Sequence, residues 1–265
     1  LEGAFYRTLA DNLRFQKDLV ELSQQVSQEA IPLLVLKGPT LINQVYGDLA
    51  LRPMDDIDLL VHPTDLSALR GILKALGYRA VHFPHVFKRE KTVFDLHTDP
   101  INRARIQSRA KAIQLDLDAL WARAHPIPNC PGMLMLNSKD QIVTLSIHAL
   151  KHGFQRKIWL LDIAECLELE QTSKEWEAIR AEARERGIID ILKLTLYVIK
   201  FSLWRALPRF AEAEIQSYRP GAIERRLIAV ASRPNMPQIL EPMLLLRALG
   251  GLRQKCAYIL EASFP

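Results

Sequence analysis

Two carboxylates separated by one apolar residue are the side chains in this sequence best suited to chemistry. Asp56 and Asp58 flank Ile57 at the start of a hydrophobic run that continues through Val61. Alternate side chains of a β-strand point to the same side, so the two carboxylates would project together. Carboxylates held this close repel each other, and a hard divalent cation such as Mg²⁺ relieves the repulsion by taking their oxygens as ligands. The spacing therefore predicts a metal site, with a solvated Asp-rich turn as the alternative.

A third acidic residue stands in the middle of another predicted strand. Asp95 lies between Phe94 and Leu96 in the run Thr92–His97. Burying a carboxylate at such a position is unfavourable unless it has a partner, and a shared metal ion would provide one. His97 is two positions further on and shares the strand face of Asp95, so it is a candidate for the edge of the site.

A glycine turn before the acidic strand is a candidate phosphate-binding element. The predicted buried strand Leu33–Leu36 runs through Lys37-Gly38-Pro39-Thr40 into a predicted helix at 41–46. Gly38 has no Cβ, and a helix N-terminus offers unpaired N–H groups, so phosphate could approach the backbone here. A plain strand-to-helix turn with proline in the first helical turn accounts for the same residues.

Hydrophobic spacing predicts alternating helices and strands in the first half of the chain and helices alone in the second. The first-half helices are expected at 4–29, 41–46 and 65–76, and the strands at 33–36, 52–61, 78–83, 86–88 and 92–97. Three prolines between 126 and 131 mark a domain boundary. Helices are then expected at 142–151, 155–170, 188–206, 221–231 and 239–261, with a capped helix start at 172–175.

Composition limits the function classes. The chain has 265 residues, of which 49% are hydrophobic, enough for two packed units, and no apolar run is long enough to predict a membrane span. Cys130, Cys166 and Cys256 lie far apart, which argues against a disulfide framework and a zinc knuckle. The net charge of +5 is compatible with an anionic ligand such as a nucleotide and does not by itself indicate nucleic-acid binding. A cytoplasmic protein is expected.

Several short motifs stand in one order along the chain and together resemble a known family. They are Leu36-Lys37-Gly38, Tyr46-Gly47-Asp48, Arg52, Asp56-Ile57-Asp58-Leu59-Leu60-Val61, Gly77-Tyr78 and Asp95-Leu96-His97. In this order they resemble the uncharacterised nucleotidyltransferase-like family of the DNA polymerase β nucleotidyltransferase superfamily. The resemblance covers about residues 30 to 170 and includes the helical stretch with His148 and His152.

The resemblance implies an α+β fold, with a small mixed β-sheet flanked by helices and followed by an all-α domain. The corresponding division is an N-terminal packing helix at 1–29, a catalytic domain at 30–130 and a helical domain at 131–265. Asp56 and Asp58 would bridge two Mg²⁺ ions, and Asp95 would complete the metal site and orient or deprotonate an acceptor hydroxyl. The implied nucleotide-binding residues are Lys37, Gly38, Thr40 and Arg52.

The implied reaction transfers a nucleoside monophosphate from an NTP to an acceptor and releases pyrophosphate. The acceptor is left open among a small molecule, a peptide, a protein and an RNA end. The turn departs from the Gly-Ser pattern of characterised members because Pro39 lacks a backbone donor, so a non-catalytic nucleotide-binding or scaffolding protein is the alternative. His148 and His152 share a helix face, but without a nearby glutamate or third ligand a packing role is favoured over zinc.

Overall fold

A computed structural model describes residues 2–101, 113–169, 172–222 and 251–263, together with residues 225, 226, 229 and 246. The chain forms two compact units, one of Leu1–Pro100 with Leu117–Asn137 and one of Ile101–Asp116 with Ser138–Pro265. The domain limits expected from the sequence stay a prediction. The basic segment from Arg103 to Lys111, expected to be a solvated helix face, lies outside the described residues. So does most of the predicted helix at 221–231.

The first unit contains a seven-stranded mixed sheet. Its strands are β1 (Leu33–Leu36), β2 (Ile57–Val61), β3 (Arg79–Val81), β4 (Phe83–Arg89), β5 (Thr92–His97), β6 (His125–Pro126) and β7 (Met133–Met135). Their order across the sheet is β3-β4-β5-β2-β1-β7-β6. The pairs β2/β5 and β1/β7 are parallel and the others are antiparallel. The predicted α+β fold with a mixed sheet is therefore confirmed.

Four helices belong to this unit, namely α1 (Glu2–Gln28), α2 (Pro39–Leu41), α3 (Leu66–Ala75) and α4 (Leu117–Ala122). The helix α2 is continued by a π-helical turn at Ile42–Tyr46, which closes with a 2.8 Å hydrogen bond from the Gly47 N–H to the Ile42 carbonyl. The long helix α1 buries Phe15, Leu19, Leu22 and Val26, whose spacing of three to four residues places them on one stripe.

The apolar stripe of α1 packs on one face of the sheet, so the candidate site lies on the other face. Val35, Leu59 and Leu96 belong to the same buried cluster as the α1 stripe. Since successive side chains of a strand alternate, Asp58 and Asp95 point to the opposite face. In β2 and β5, apolar residues therefore point to the core, and the acidic residues point to the candidate site.

Two features of the sheet differ from the expectation. The acidic strand begins at Ile57 and not at Arg52, so Asp56 lies just before the strand. No strand was expected at β6 or β7, because runs of two and three residues between prolines and a helix are too short to show a period of two. The strand β7 is held in place by its parallel pairing with β1, a non-local contact.

The second unit is helical over its described residues. Its helices are α5 (Ser138–Lys151), α6 (Lys157–Leu169), α7 (Ser173–Glu185), α8 (Ile189–Leu203), α9 (Arg209–Ser217) and α10 (Leu252–Ser263). Most of α5 is buried, and it contacts α6, α7 and α8. The predicted capped start is confirmed, because the Thr172 hydroxyl and the Glu175 carboxylate form a reciprocal capping box. No helix among the described residues has the length and hydropathy needed to cross a membrane.

A buried ion pair between Asp140 and Arg186 links α5 to the residue that follows α7. Arg186 is 3% exposed and Asp140 is fully buried, and the Arg186 Nη2 lies 2.6 Å from the Asp140 Oδ1. The Arg186 Nε also donates to Glu182 at 2.8 Å. A buried charge is tolerated only when it is paired, so each member of this pair depends on the other.

We expect Arg186→Met to lower the free energy of unfolding by about 3–5 kcal/mol, because it removes the cation paired with the buried Asp140 carboxylate. Urea denaturation followed by far-UV circular dichroism measures the change. The matched control is Arg14→Met, which breaks a partly exposed pair with Asp11 and should cost less than about 1 kcal/mol. Equal stabilities of the two variants would contradict a structural role for the buried pair.

Candidate active site

The parallel pairing of β2 with β5 brings the predicted carboxylates together. In this register Asp58 lies directly opposite Asp95, and Leu60 lies opposite His97. Asp58, Asp95 and His97 each offer one ligand atom, and these atoms all lie within 4.8 Å of one another. Two carboxylates and an imidazole are a common set of ligands for a divalent metal ion.

Both oxygens of Asp58 are engaged by basic side chains. The Lys37 Nζ lies 2.7 Å from the Asp58 Oδ2, and the His97 Nε2 lies 2.9 Å from the Asp58 Oδ1. The same His97 nitrogen is 3.4 Å from the Asp95 Oδ2. Lys37 follows β1 directly with a φ of +56°, a left-handed conformation that few non-glycine residues adopt. The Lys37 ammonium thus supplies positive charge at the carboxylate that the metal would use.

Asp95 has an oxygen that suits a metal ion. Its Oδ1 is buried and makes no hydrogen bond within the described part of the chain. The His85 Nε2 lies 3.9 Å from this oxygen, which is beyond hydrogen-bonding distance. Desolvation raises the pKa of Asp95. A buried carboxylate oxygen without a donor is unfavourable by itself and is well matched to a cation, so the residues present fit a divalent metal.

Asp56 lies close to this cluster without belonging to it. The residue is exposed, yet desolvation of its carboxyl group, followed by repulsion from Asp58, raises its pKa to about 6. Lys37 opposes this shift, and Asp95 adds to it. The three-ligand group formed by the structure therefore contains His97 in the place where the sequence analysis expected Asp56. His97, expected at the edge of the site, lies between the two strand carboxylates.

The glycine turn is closely packed. Gly38 has a φ of +42°, and a Cβ placed on it would lie 2.7 Å from the Met54 Sδ and 3.9 Å from the Arg52 Nη1. Glycine is therefore favoured by its backbone conformation, and a Cβ would also require the flexible Met54 side chain to shift. Arg52 is buried beside this turn, and its carbonyl accepts a 2.8 Å hydrogen bond from the Asn12 side chain on α1. The predicted phosphate-binding residues Gly38 and Arg52 are thus neighbours.

Thr40 is used within the turn itself. Its hydroxyl donates to the Lys37 carbonyl at 2.9 Å, and its N–H lies 3.2 Å from the same oxygen. Thr40 is almost fully buried. Its hydroxyl proton is therefore engaged in stabilising the turn, and the predicted role of Thr40 in binding phosphate stays a prediction.

The sequence analysis missed His85 and predicted a packing role for two other histidines. His85 lies on β4, antiparallel to β5. The signal that could have placed it beside Asp95 is the short connection between the predicted strands 86–88 and 92–97, which is typical of a hairpin. His148 and His152 form an aromatic cluster with Trp159, with ring centroids 4.6 to 5.1 Å apart. Within the described residues, neither histidine belongs to a group that could hold a metal ion.

The fold and site define a protein with an acidic, metal-compatible centre on a mixed sheet, and a family comparison agrees with that class. Residues 1–201 match the family described as "Uncharacterised nucleotidyltransferase". The match covers more than half of the 265 residues, so the chain belongs to this nucleotidyltransferase family and is a transferase. The family membership expected from the sequence is confirmed. A comparison with curated proteins gave no significant match.

Two solved structures of one protein are distantly similar. They are the solution structure of the antibiotic-resistance factor ANT(2'')-Ia and the crystal structure of ANT(2'')-Ia in complex with adenylyl-2''-tobramycin. Each is 15% identical with a TM-score of 0.43, and each match covers 64% of this chain. The matches cover 91% and 97% of the respective ANT(2'')-Ia chains. At this distance the family assignment depends on the family match alone.

The raised pKa of Asp56 predicts how Asp56→Asn changes stability with pH. A carboxyl whose folded pKa is raised stabilises the folded state while protonated, and this contribution is lost as the pH rises through about 6. In metal-free buffer we therefore expect Asp56→Asn to be more stable than wild type at pH 8 and equally stable below the ordinary carboxyl pKa. Urea titrations across this range measure the difference, and a constant difference at all pH values would contradict the assignment.

The ion pair of Lys37 with Asp58 predicts competition between the lysine and a metal ion. We expect Lys37→Met to raise the affinity for Mn²⁺ about fivefold, the equivalent of about 1 kcal/mol for a partly buried pair. Electron paramagnetic resonance of free Mn²⁺ measures the affinity. The control Lys91→Met removes the same charge from an exposed turn residue that pairs with Asp11, and it should leave Mn²⁺ binding unchanged. A weaker Mn²⁺ affinity in Lys37→Met would exclude this competition.

Proposed function

We propose that this chain is a divalent-metal-dependent nucleotidyltransferase that moves a nucleoside monophosphate from an NTP to an acceptor and releases pyrophosphate. The observation that carries the proposal is the register of β2 and β5, which sets Asp58 opposite Asp95. Fixed neighbouring carboxylates, one with a buried oxygen that lacks a donor, are the kind of ligand set that a phosphoryl-transfer metal requires. Family membership supports the same reaction class.

Asp58, Asp95 and His97 are the residues that would hold one metal ion, and Asp56 with Asp58 would contribute to a second. Bound Mg²⁺ would neutralise charge on the phosphates and activate the attacking oxygen. The side chain of Asp95 would orient the acceptor hydroxyl or accept its proton.

Lys37 and Arg52 are the proposed partners of the triphosphate. Both lie next to Gly38, where the backbone can approach a ligand. In this proposal, the Lys37 ammonium pairs with Asp58 in the metal-free protein and would pair with the phosphate oxygens when Asp58 serves as a metal ligand. The positive charge of Lys37 would thus stabilise the Asp58 carboxylate before a metal ion binds and the nucleotide phosphates afterwards.

A non-catalytic nucleotide-binding protein is the second candidate, and two features of the turn favour it. Pro39 has no N–H to donate, and the Thr40 hydroxyl is engaged with the Lys37 carbonyl. The turn consequently offers fewer donors to a triphosphate than a Gly-Ser turn would.

The acceptor in the catalytic proposal is defined only as a molecule with an attacking group, which a small molecule, a peptide, a protein or an RNA end would each provide. A cytoplasmic location is part of the same proposal.

Calorimetric titration of each of the four NTPs, with and without Mg²⁺, tests the proposal. We expect one or more NTPs to bind wild type only in the presence of Mg²⁺, and Asp58→Asn to weaken this binding by more than about 100-fold, because even outer partners of a metal contribute 10- to 100-fold. Far-UV circular dichroism checks that the variant is folded, because the substitution relieves the repulsion from Asp95 but also removes the counter-charge of Lys37.

The matched control is Asp65→Asn, which changes an acidic residue before α3 by the same chemical step and should bind NTP like wild type. Full Mg²⁺-dependent binding in Asp58→Asn would refute the site. Metal-dependent binding without pyrophosphate release in the presence of any acceptor class would favour the non-catalytic candidate.

A further inference from the structure

The first unit contains a cavity that the proposed reaction does not use. Its volume is about 390 Å³, within the range of small-molecule sites. The cavity lies among α1, the α2 segment with its π-helical turn, and the connection 127–130 between β6 and β7. We call it the amide pocket, because five carboxamide side chains line it: Asn12, Gln16, Asn43, Gln44 and Asn129.

The amide pocket contains no ionised side chain. Besides the carboxamides, its lining consists of apolar residues with Thr40 and Cys130. Burial raises the pKa of the Cys130 thiol, which is therefore neutral at pH 7. A charged ligand would lose its hydration here without gaining a counter-charge, so the lining selects uncharged molecules.

Asn12 forms part of the pocket wall and is held there by its amide group. It is 1% exposed, and its Nδ2 donates to the Arg52 carbonyl at 2.8 Å and to the Leu49 carbonyl at 2.5 Å. Because a carbonyl can only accept, these bonds fix which amide atom is the nitrogen. The Asn12 Oδ1 has no hydrogen-bond partner in the described part of the chain and is enclosed by protein atoms. A ligand in the pocket would therefore pack beside Asn12 without bonding to it.

A second carboxamide has only a weak partner. The Gln44 Nε2 donates to the Met135 sulfur at 3.2 Å, and a thioether is a poor acceptor. Gln16, Asn43 and Asn129 are exposed and form the mouth of the pocket. Carboxamide donors and acceptors are therefore available from Gln44 to the solvent-facing rim.

We propose that the amide pocket binds an uncharged, planar molecule with a lactam or carboxamide edge. Such an edge presents a donor next to an acceptor, which is the pattern that Asn and Gln side chains pair with through two hydrogen bonds. Its acceptor takes a hydrogen bond from the Gln44 Nε2, its donor bonds to the Gln44 Oε1, and its apolar body packs on residues such as Leu19 and Met54.

The amide pocket is separate from the candidate metal centre. Met135 pairs in register with Val35, whose side chain points to the core face of the sheet. Asp58 and Asp95 point to the opposite face. The two sites share only the glycine turn, since Pro39 and Thr40 line the pocket. Ligand binding in the pocket therefore requires neither metal nor NTP, and its test is independent of the proposed reaction.

The test is a titration of the ¹⁵N-labelled full chain, in EDTA and without nucleotide, with nicotinamide, uracil and hypoxanthine. Nicotinate carries a carboxylate where nicotinamide carries a carboxamide, so it is the charged control. We expect saturable shifts of side-chain carboxamide signals with at least one neutral compound, at a Kd below about 1 mM. Nicotinate should bind about tenfold more weakly than nicotinamide, or worse, for lack of a counter-charge.

Three variants decide whether binding occurs in the amide pocket. Gln44→Leu should weaken binding about tenfold or more, the value of a lost bidentate contact. Gln16→Trp should block the mouth from an exposed helix position, whereas Lys17→Trp places the same ring on a neighbouring residue that does not line the pocket and should bind like wild type. The proposal is overturned by the absence of saturable binding, by equal binding of nicotinate and nicotinamide, or by unchanged binding in both Gln44→Leu and Gln16→Trp.

Discussion

The repulsion between Asp58 and Asp95 is the constraint on which the rest of the site depends. Adjacent parallel strands hold their side chains at a fixed spacing of about 5 Å, so the two carboxylates cannot move apart. Lys37 supplies positive charge to one oxygen of Asp58, and the His97 Nε2 lies 2.9 Å from the other. The same repulsion explains why a divalent cation would be held here, because it replaces two separate donors with one central charge.

The glycine turn connects this charge balance to the packing of α1. Lys37 reaches Asp58 from a left-handed backbone conformation, and Gly38 follows in a conformation that also has a positive φ. Met54 fills the space beside Gly38. A hydrogen bond from the Asn12 side chain to the Arg52 carbonyl links the loop that carries Met54 and Arg52 to α1. A short turn with two unusual residues is stable because the surrounding side chains hold it from the core side.

The sheet separates two kinds of environment. Its core face is apolar and buries neutral groups, including the Asn12 carboxamide beside the amide pocket, whereas its other face carries the charges of the candidate metal centre. The turn from Lys37 to Thr40 contacts both, with Lys37 at the carboxylates and Thr40 at the pocket. Alternation along the strands makes this separation possible, because neighbouring residues in sequence point to opposite faces.

The sequence by itself determined the alternation of helices and strands in the first half, the strands Leu33–Leu36 and Thr92–His97, the long first helix and the acidic character of the site, because period and charge are local properties. The tertiary structure alone decided which residues meet. The strand β7 exists through its pairing with β1, and His85 lies beside Asp95 through the hairpin of β4 and β5. The pairing of Lys37 with Asp58 and the strand start at Ile57, which leaves Asp56 outside the ligand cluster, likewise depend on contacts between distant segments. Register and side-chain partners are set by non-local packing, which spacing along one chain does not encode.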